Sequence, residues 1–232
     1  MSNAPWLTIV GLNEDGPDGL TPASLKALSD AKTIIGPARH LGLLPELSAE
    51  IVEWPVPFAD GLALLGGLRG TPTVALASGD PFWFGAGSVI ARHLHDDEWR
   101  ALPNVSIFSQ IAAYLGWPLE TTLCTGLHAS PFARLRPHLA ADQHAIVTLR
   151  DGEAVGSFAA WLTSVGFGAS TLHIFEALGG PSARVRSAMA EGFDLSDVTR
   201  PVAVAVEING EGTPIPVTSG KPDTLFENDG QI

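Results

Sequence analysis

Positive charge is scarce in this chain. Lys and Arg number 13 against 25 Asp and Glu, a net charge of −12 at pH 7, and lysine occurs only at Lys26, Lys32 and Lys221. Nucleic-acid binding rests on a basic footprint, which this chain lacks overall, so its charge points away from that class of partner. Cysteine is nearly absent: Cys124 stands alone, no intrachain disulfide can form, and a reducing compartment is the natural expectation. No apolar run approaches the roughly 20 residues of a membrane span, and residues 1–10 lack a basic n-region and a cleavable apolar stretch. A soluble, cytoplasmic protein without membrane contact is expected. No C-x-x-C or H-E-x-x-H ligand set is present, so no catalytic metal is expected.

What is there is apolar residue: 45 % of the 232 residues are hydrophobic and only 16 % charged, enough to bury one large core or two smaller ones. Short runs rich in β-branched residues alternate with helical patterns, the signature of α/β architecture with mostly parallel sheets. Strands are expected at Leu7–Val10, Thr33–Ile35, Ile51–Glu53, Thr73–Ala77, Thr122–Gly126, Ala145–Leu149, Thr171–Phe175 and Val202–Glu207. About eight strands suit two sheets of modest size better than one. Thr21 before Pro22 reads as a helix start with Leu25, Leu28 and Ala31 on one face, and Ser130-Pro131 repeats that signal. Phe108, Ile111, Ala112 and Leu115 fall at i, i+3, i+4 and i+7 of a helix ending near Gly116, and Val155, Phe158, Ala159 and Leu162 point one face of a helix over Glu153–Val165 inward. Gly116-Trp117-Pro118 is the expected hinge between an N-terminal lobe, 1–116, and a C-terminal lobe, 117–208. Residues 209–232 open on a Gly/Pro/Ser/Thr stretch that reads as a linker.

Two loops could carry chemistry. The first, Gly11 to Thr21, is rich in glycine and acid (Glu14, Asp15, Asp18) and follows the first strand, where open α/β sheets bind ligands. It lacks G-x-G-x-x-G, and its acids would repel a pyrophosphate. A solvated acidic turn is the alternative. The second, Ser78-Gly79-Asp80-Pro81-Phe82-Trp83-Phe84, follows the strand at Thr73. Gly79 lets backbone approach a ligand, Asp80 offers an acceptor and Pro81 fixes the turn. The aromatic triplet either walls a flat ligand or belongs to the core.

Three segments in this order, VGLNEDGPDGLTPASLKAL, SGDPFWFGAGS and PNVSIFSQIAAYLGWPL, resemble the tetrapyrrole methylase family. The E-D-G opening loop, Leu127-His128-Ala129-Ser130 and the EALGGP segment at Glu176–Pro181 resemble, more narrowly, its C5-methylating members acting on precorrins in cobalamin synthesis. The likeness covers nearly all of residues 5–208. Residues 220–232, GKPDTLFENDGQI, resemble the opening of the C15-methylating, decarboxylating domain fused behind this one in bifunctional members, which leads to the expectation that a second domain is cut short here.

The resemblance implies a two-lobed fold, each lobe a mostly parallel sheet flanked by helices, with S-adenosylmethionine between the lobes, and a homodimer. It implies cofactor contacts at Glu14, Ser78, Gly79, Asp80, Trp83, Ser106, Ile107, Leu149, Ala177 and Leu178. The implied substrate is a precorrin, a polycarboxylate that a chain at −12 repels at long range, so local positive charge must compensate. His128 through Arg150 is the most basic stretch, with Arg39-His40 a smaller one. Arg39, Arg134 and Arg136 are therefore candidate substrate contacts, and His128 is the candidate to assist proton removal. Where many relatives carry L-H-G-R this chain lacks the arginine, and the glutamate after the Gly-Gly-Pro turn is Ala183. Two other readings compete: a non-catalytic cofactor- and tetrapyrrole-binding domain serving a fused partner, and a nicotinamide-dependent reductase. The missing dinucleotide fingerprint counts against the second of these.

Overall fold

The computed structural model describes residues 5–213 and 215. The tail resembling a second domain lies outside the described residues, as does most of the expected linker. Two compact units emerge: residues up to Gly116 together with Ala177–Arg184, and Trp117–Glu176 together with the residues from Val185 onward.

In the first unit the strands β1 (Leu7–Leu12), β2 (Thr33–Gly36), β3 (Glu50–Glu53), β4 (Thr73–Ser78) and β5 (Trp99–Leu102) form one sheet in the order β3-β2-β4-β1-β5. Every pairing is parallel. The three central strands are apolar throughout because both faces are covered. Successive residues go to opposite sides: Leu7, Ile9, Ile35, Ala75 and Ala77 pack with Leu65 of α3 (Phe58–Gly67) and Ile90 of α4 (Gly87–Ala91). Val10, Leu12, Ile34, Val74 and Leu76 pack with Ala27 and Leu28 of α1 (Pro22–Asp30). Thr21 caps α1 by accepting from the Ser24 amide. The inward face of α1 is Ser24, Ala27 and Leu28, while Leu25 is exposed, a one-residue rotation from the expected stripe. α2 (Ala38–Leu41) is a single turn after β2, and α5 (Ile107–Leu115) buries Phe108, Ile111 and Ala112.

In the second unit β6 (Thr122–Gly126), β7 (His144–Leu149), β8 (Thr171–Glu176), β9 (Arg184–Met189) and β10 (Val202–Glu207) run in the order β6-β7-β10-β8-β9. This sheet departs from the mostly parallel expectation. β6 and β7 are parallel, but β10 is antiparallel to both β7 and β8. The reason lies in the connections. A helix, α6 (Gly152–Ser164), carries the chain from β7 to β8, whereas no α-helix separates β8, β9 and β10, so β10 is not held to the parallel direction that a helical crossover imposes. Val155, Phe158, Ala159 and Leu162 of α6 cover one face over Val147, Ile174 and Val204.

All eight expected strands are present, and β5 and β9 were not expected. Both are edge strands whose sequences, WRAL and RVRSAM, carry the charges that edges use to discourage further pairing, so neither shows an apolar run. Beside β9, at the end of β8, Glu176 is fully buried. Its Oε1 accepts from Arg186 Nε at 3.1 Å and its Oε2 from the Thr199 amide at 2.8 Å, which ties β9 and the 197–199 segment to the end of β8.

Phe158 is fully buried against Phe132 and Trp161. Phe158→Ala should lower the unfolding free energy by about 3–5 kcal/mol through lost burial and a residual cavity. Urea unfolding followed by tryptophan fluorescence measures it, and a loss below about 1 kcal/mol would show that the site repacks.

Candidate functional site

Parallel pairing puts the carboxyl ends of β2, β4 and β1 side by side, and the loops that leave them form the candidate site. Gly79, directly after β4, has φ +50°, a left-handed conformation that costs a side chain about 1–2 kcal/mol. The turn is also closed in: a β-carbon on Gly79 would lie 3.1 Å from the Val105 carbonyl oxygen and 3.3 Å from Ser106 Cα. The Gly79 amide donates to Leu12 O at 3.2 Å and its carbonyl accepts from the Asn104 amide at 3.0 Å. Asn13 Nδ2 donates to Val105 O at 3.0 Å. The turn after β4, the loop after β1 and the start of α5 are thus sewn together mainly through backbone atoms. Asp80 accepts from the Phe82 amide through Oδ1 at 2.9 Å, which shapes the Asp-Pro turn from within.

Phe82, Trp83 and Phe84 are 43 %, 39 % and 46 % exposed. They are not core. Trp83 and Phe84 rest on Phe108, at 5.2 and 5.9 Å between ring centroids, which leaves aromatic surface facing outward beside the glycine turn.

Within this unit the structure brings together Glu14, Arg39, Ser78, Gly79, Asp80, Trp83, Ser106 and Ile107. Ser106 caps α5 by accepting from the Ser109 amide. Ala177 and Leu178 belong to the same unit. Ala177 has φ +44°, and the Gly180 that follows packs so closely on Glu14 that a β-carbon would come 2.7 Å from Glu14 Cβ. An open hollow of about 530 Å³ lies alongside, lined by Glu14, Asp15, Asp18, Leu43, Leu44 and Pro181 among others.

Arg39 is more engaged than a free surface arginine. Its Nη1 pairs with Glu14, and its Nη2 donates to Ser78 Oγ at 3.1 Å and to His40 Nε2 at 2.8 Å. His40, read from sequence as part of a basic pair, is 1 % exposed. Burial, and then the neighbouring Arg39 charge, push its pKa down to about 3. Nothing in the local sequence signals this, because the burial arises from α2 folding back on the sheet.

Leu149, His128, Arg134 and Arg136 belong to the second unit. Leu149 ends β7 and is buried. His128 Nδ1 lies 3.3 Å from Thr148 Oγ1, and the ring lines a hollow of about 330 Å³ with Ser130, Phe132, Arg150 and Ser157. Arg134 donates to Ser130 Oγ at 2.9 Å. Arg136 sits over the Phe167 ring at 5.6 Å, and loss of water lowers its pKa. Among the described residues no group of three His, Cys, Asp or Glu could hold a metal ion, and no helix is long and apolar enough to cross a membrane.

Residues 67–207 match the family model for tetrapyrrole (corrin/porphyrin) methylases. The chain belongs to the tetrapyrrole methylases. Among curated members of the family, a Sinorhizobium protein named precorrin-6Y C(5,15)-methyltransferase (decarboxylating) is 38 % identical over 99 % of this chain and 56 % of its own length. A Salmonella typhimurium cobalt-precorrin-7 C(5)-methyltransferase is 30 % identical over 53 % of this chain and 61 % of its own. The chain thus spans a little over half the length of these tetrapyrrole methylases. A solved uroporphyrin-III C-methyltransferase from Thermus thermophilus, complexed with S-adenosylhomocysteine, superimposes with a TM-score of 0.67 at 22 % identity, over 86 % of this chain and 96 % of that one. At that identity the likeness shows the tetrapyrrole methylase fold.

The donor set suits the S-adenosylmethionine that the family implies. With Glu14 paired to Arg39, Asp15, Asp18 and Asp80 in the loops at the carboxyl edge favour a ligand with cationic groups and oppose a pyrophosphate. The tightly closed glycine turn offers backbone, and the exposed aromatic surface offers a flat wall.

The His40 shift carries a pH dependence. An unfolded chain takes up the proton near pH 6.5, while the folded chain refuses it down to about 3. Between those limits the unfolded state binds more protons, so folding stability falls as pH falls, by up to about 1.4 kcal/mol per pH unit from this group. Urea unfolding at pH 7, 6 and 5 should show the slope in the native chain and a flatter one in His40→Asn. Equal slopes would mean that His40 titrates normally in the fold.

Proposed function

We propose that the chain transfers a methyl group from S-adenosylmethionine to C5 of a precorrin in cobalamin synthesis. The carrying observation is that 99 % of the chain aligns with a relative named for C5 and C15 methylation, while a relative named for C5 alone aligns with about half of it. The two names share the C5 step. The proposal assigns C15 methylation and decarboxylation to a fused domain, and takes the protein as a cytoplasmic homodimer.

S-adenosylmethionine supplies a methyl group already activated by its sulfonium, so the protein's work is to position two partners and keep water away. Ser78, Gly79 and Asp80 hold the donor by their turn, with Trp83 as a flat contact. Ser106, Ile107, Ala177, Leu178, Leu149 and Glu14 complete the set. Arg134 and Arg136 face the substrate carboxylates, and so does Arg39, whose side chain keeps 36 % of its surface exposed. His128 takes the proton that the methylated ring must lose. With Nδ1–H donated to Thr148 Oγ1, its Nε2 carries the lone pair that a base requires.

Calorimetric titration with S-adenosylhomocysteine should give micromolar binding, with none for NADH. Trp83→Ala should weaken it about tenfold through the lost stacking surface. Incubation with a precorrin and methyl-labelled S-adenosylmethionine should place the label on C5 by NMR. A chain that binds no S-adenosylhomocysteine and moves no label would overturn the proposal.

A further inference from the structure

Arg39, Ser78 and Glu14 come from three neighbouring strand ends. Arg39 follows β2, Ser78 ends β4 and Glu14 follows β1, and the sheet order sets β4 between β2 and β1. One guanidinium therefore bridges the carboxyl edge across three strands. Its orientation depends on where Nη2 points, and Nη2 has two partners: Ser78 Oγ at 3.1 Å and His40 Nε2 at 2.8 Å. Ser78 Oγ and His40 Nε2 lie 3.2 Å apart, so the three atoms close a triangle.

Arginine only donates, which makes His40 Nε2 an acceptor and puts the ring proton on Nδ1. Nδ1 is buried without a hydrogen-bond partner among the described residues. Leaving a buried N–H unpaired is costly. The ring accepts that cost in the orientation that presents Nε2 to Arg39, and a protonated ring would set N–H against N–H there.

We propose that His40 is a positioning residue: by accepting from Arg39 it holds the guanidinium across the strand ends, and so fixes the Glu14 loop and the Ser78-Gly79 turn in the shape that receives the methyl donor. This rests on the methyl-donor reading for its ligand, but not for its geometry. Arg39 is then a structural bridge first, and the acid of Glu14 is held toward the site by a charge that the fold itself supplies.

The test compares two amides in the full-length chain. In His40→Gln the side-chain Oε1 reaches the level of Nε2 and can still accept from Arg39. In His40→Asn the side chain ends a bond too soon. Amide hydrogen exchange by mass spectrometry should be about tenfold faster in peptides covering 13–19 and 78–82 of H40N, near native in H40Q, and unchanged in both for α6. The affinity for S-adenosylhomocysteine should fall about tenfold in H40N and recover to within about threefold of native in H40Q. If H40N does not fold, Arg39→Lys, which keeps the charge but cannot bridge, should show the same exchange pattern. Native exchange in both loops of H40N, or equal losses in H40N and H40Q, would overturn the proposal. If the native chain binds no S-adenosylhomocysteine while the exchange pattern holds, the positioning role stands and the methyl-donor reading fails.

Discussion

Parallel pairing of β4 between β1 and β2 is the constraint on which the rest of the first unit depends. Three parallel strands in contact end at one edge, so the loops that follow them share a neighbourhood however far apart they lie in sequence. Leu12 and Ser78 are register partners on β1 and β4, which puts Asn13 and Gly79, one residue beyond, side by side. The left-handed turn at Gly79, the cap at Ser106 and the Arg39 bridge are then local solutions to one problem. Strand ends leave backbone groups that must find partners, and this edge satisfies them with neighbouring loops, leaving aromatic and acidic side chains to face outward.

The division of labour within that edge follows from chemistry. The proposed donor, its methyl already activated, needs shape more than acid or base, and the first unit offers shape through backbone contacts at Gly79, Asn104 and Val105. Side-chain charge serves mainly to hold loops in place. Glu14 and Arg39 pair with each other, and Asp80 bonds to its own turn.

Much of this was legible in the sequence. Runs such as TIVGL and TVALA are buried on both faces and need no partner to announce themselves, and Thr21 and Ser106 signal helix starts through their capping hydroxyls. Gly79 reads as a turn because few other residues tolerate its backbone. Less legible were features decided by tertiary context. Edge strands β5 and β9 look polar because edges are polar. The antiparallel course of β10 is set by how the chain reaches it, and its own apolar residues do not encode it. His40 reads as charge beside Arg39, yet burial makes it a neutral acceptor, and no local pattern encodes the element that covers it. The aromatic triplet reads first as core by general burial preference, and its exposure overturns that reading.

Charge placement also bears on the proposal that this acidic chain takes a polycarboxylate substrate. The basic stretch at 128–150 looks uniform in sequence, but its arginines differ in the fold. Arg150 is paired with Asp151, whose carboxylate is thereby held below its usual pKa and which also caps α6. Arg136 lies against Phe167 and is partly dehydrated, while Arg134 donates to the neutral hydroxyl of Ser130. A neutral partner leaves the full charge for an incoming anion, whereas an aspartate cancels most of it at a distance. Of the three, Arg134 therefore offers the strongest long-range attraction for a carboxylate, and Arg136, already stripped of part of its water, offers the stronger contact once the carboxylate has arrived. Net charge alone would have predicted repulsion, and it is the pairing pattern, residue by residue, that decides where a polyanion can settle.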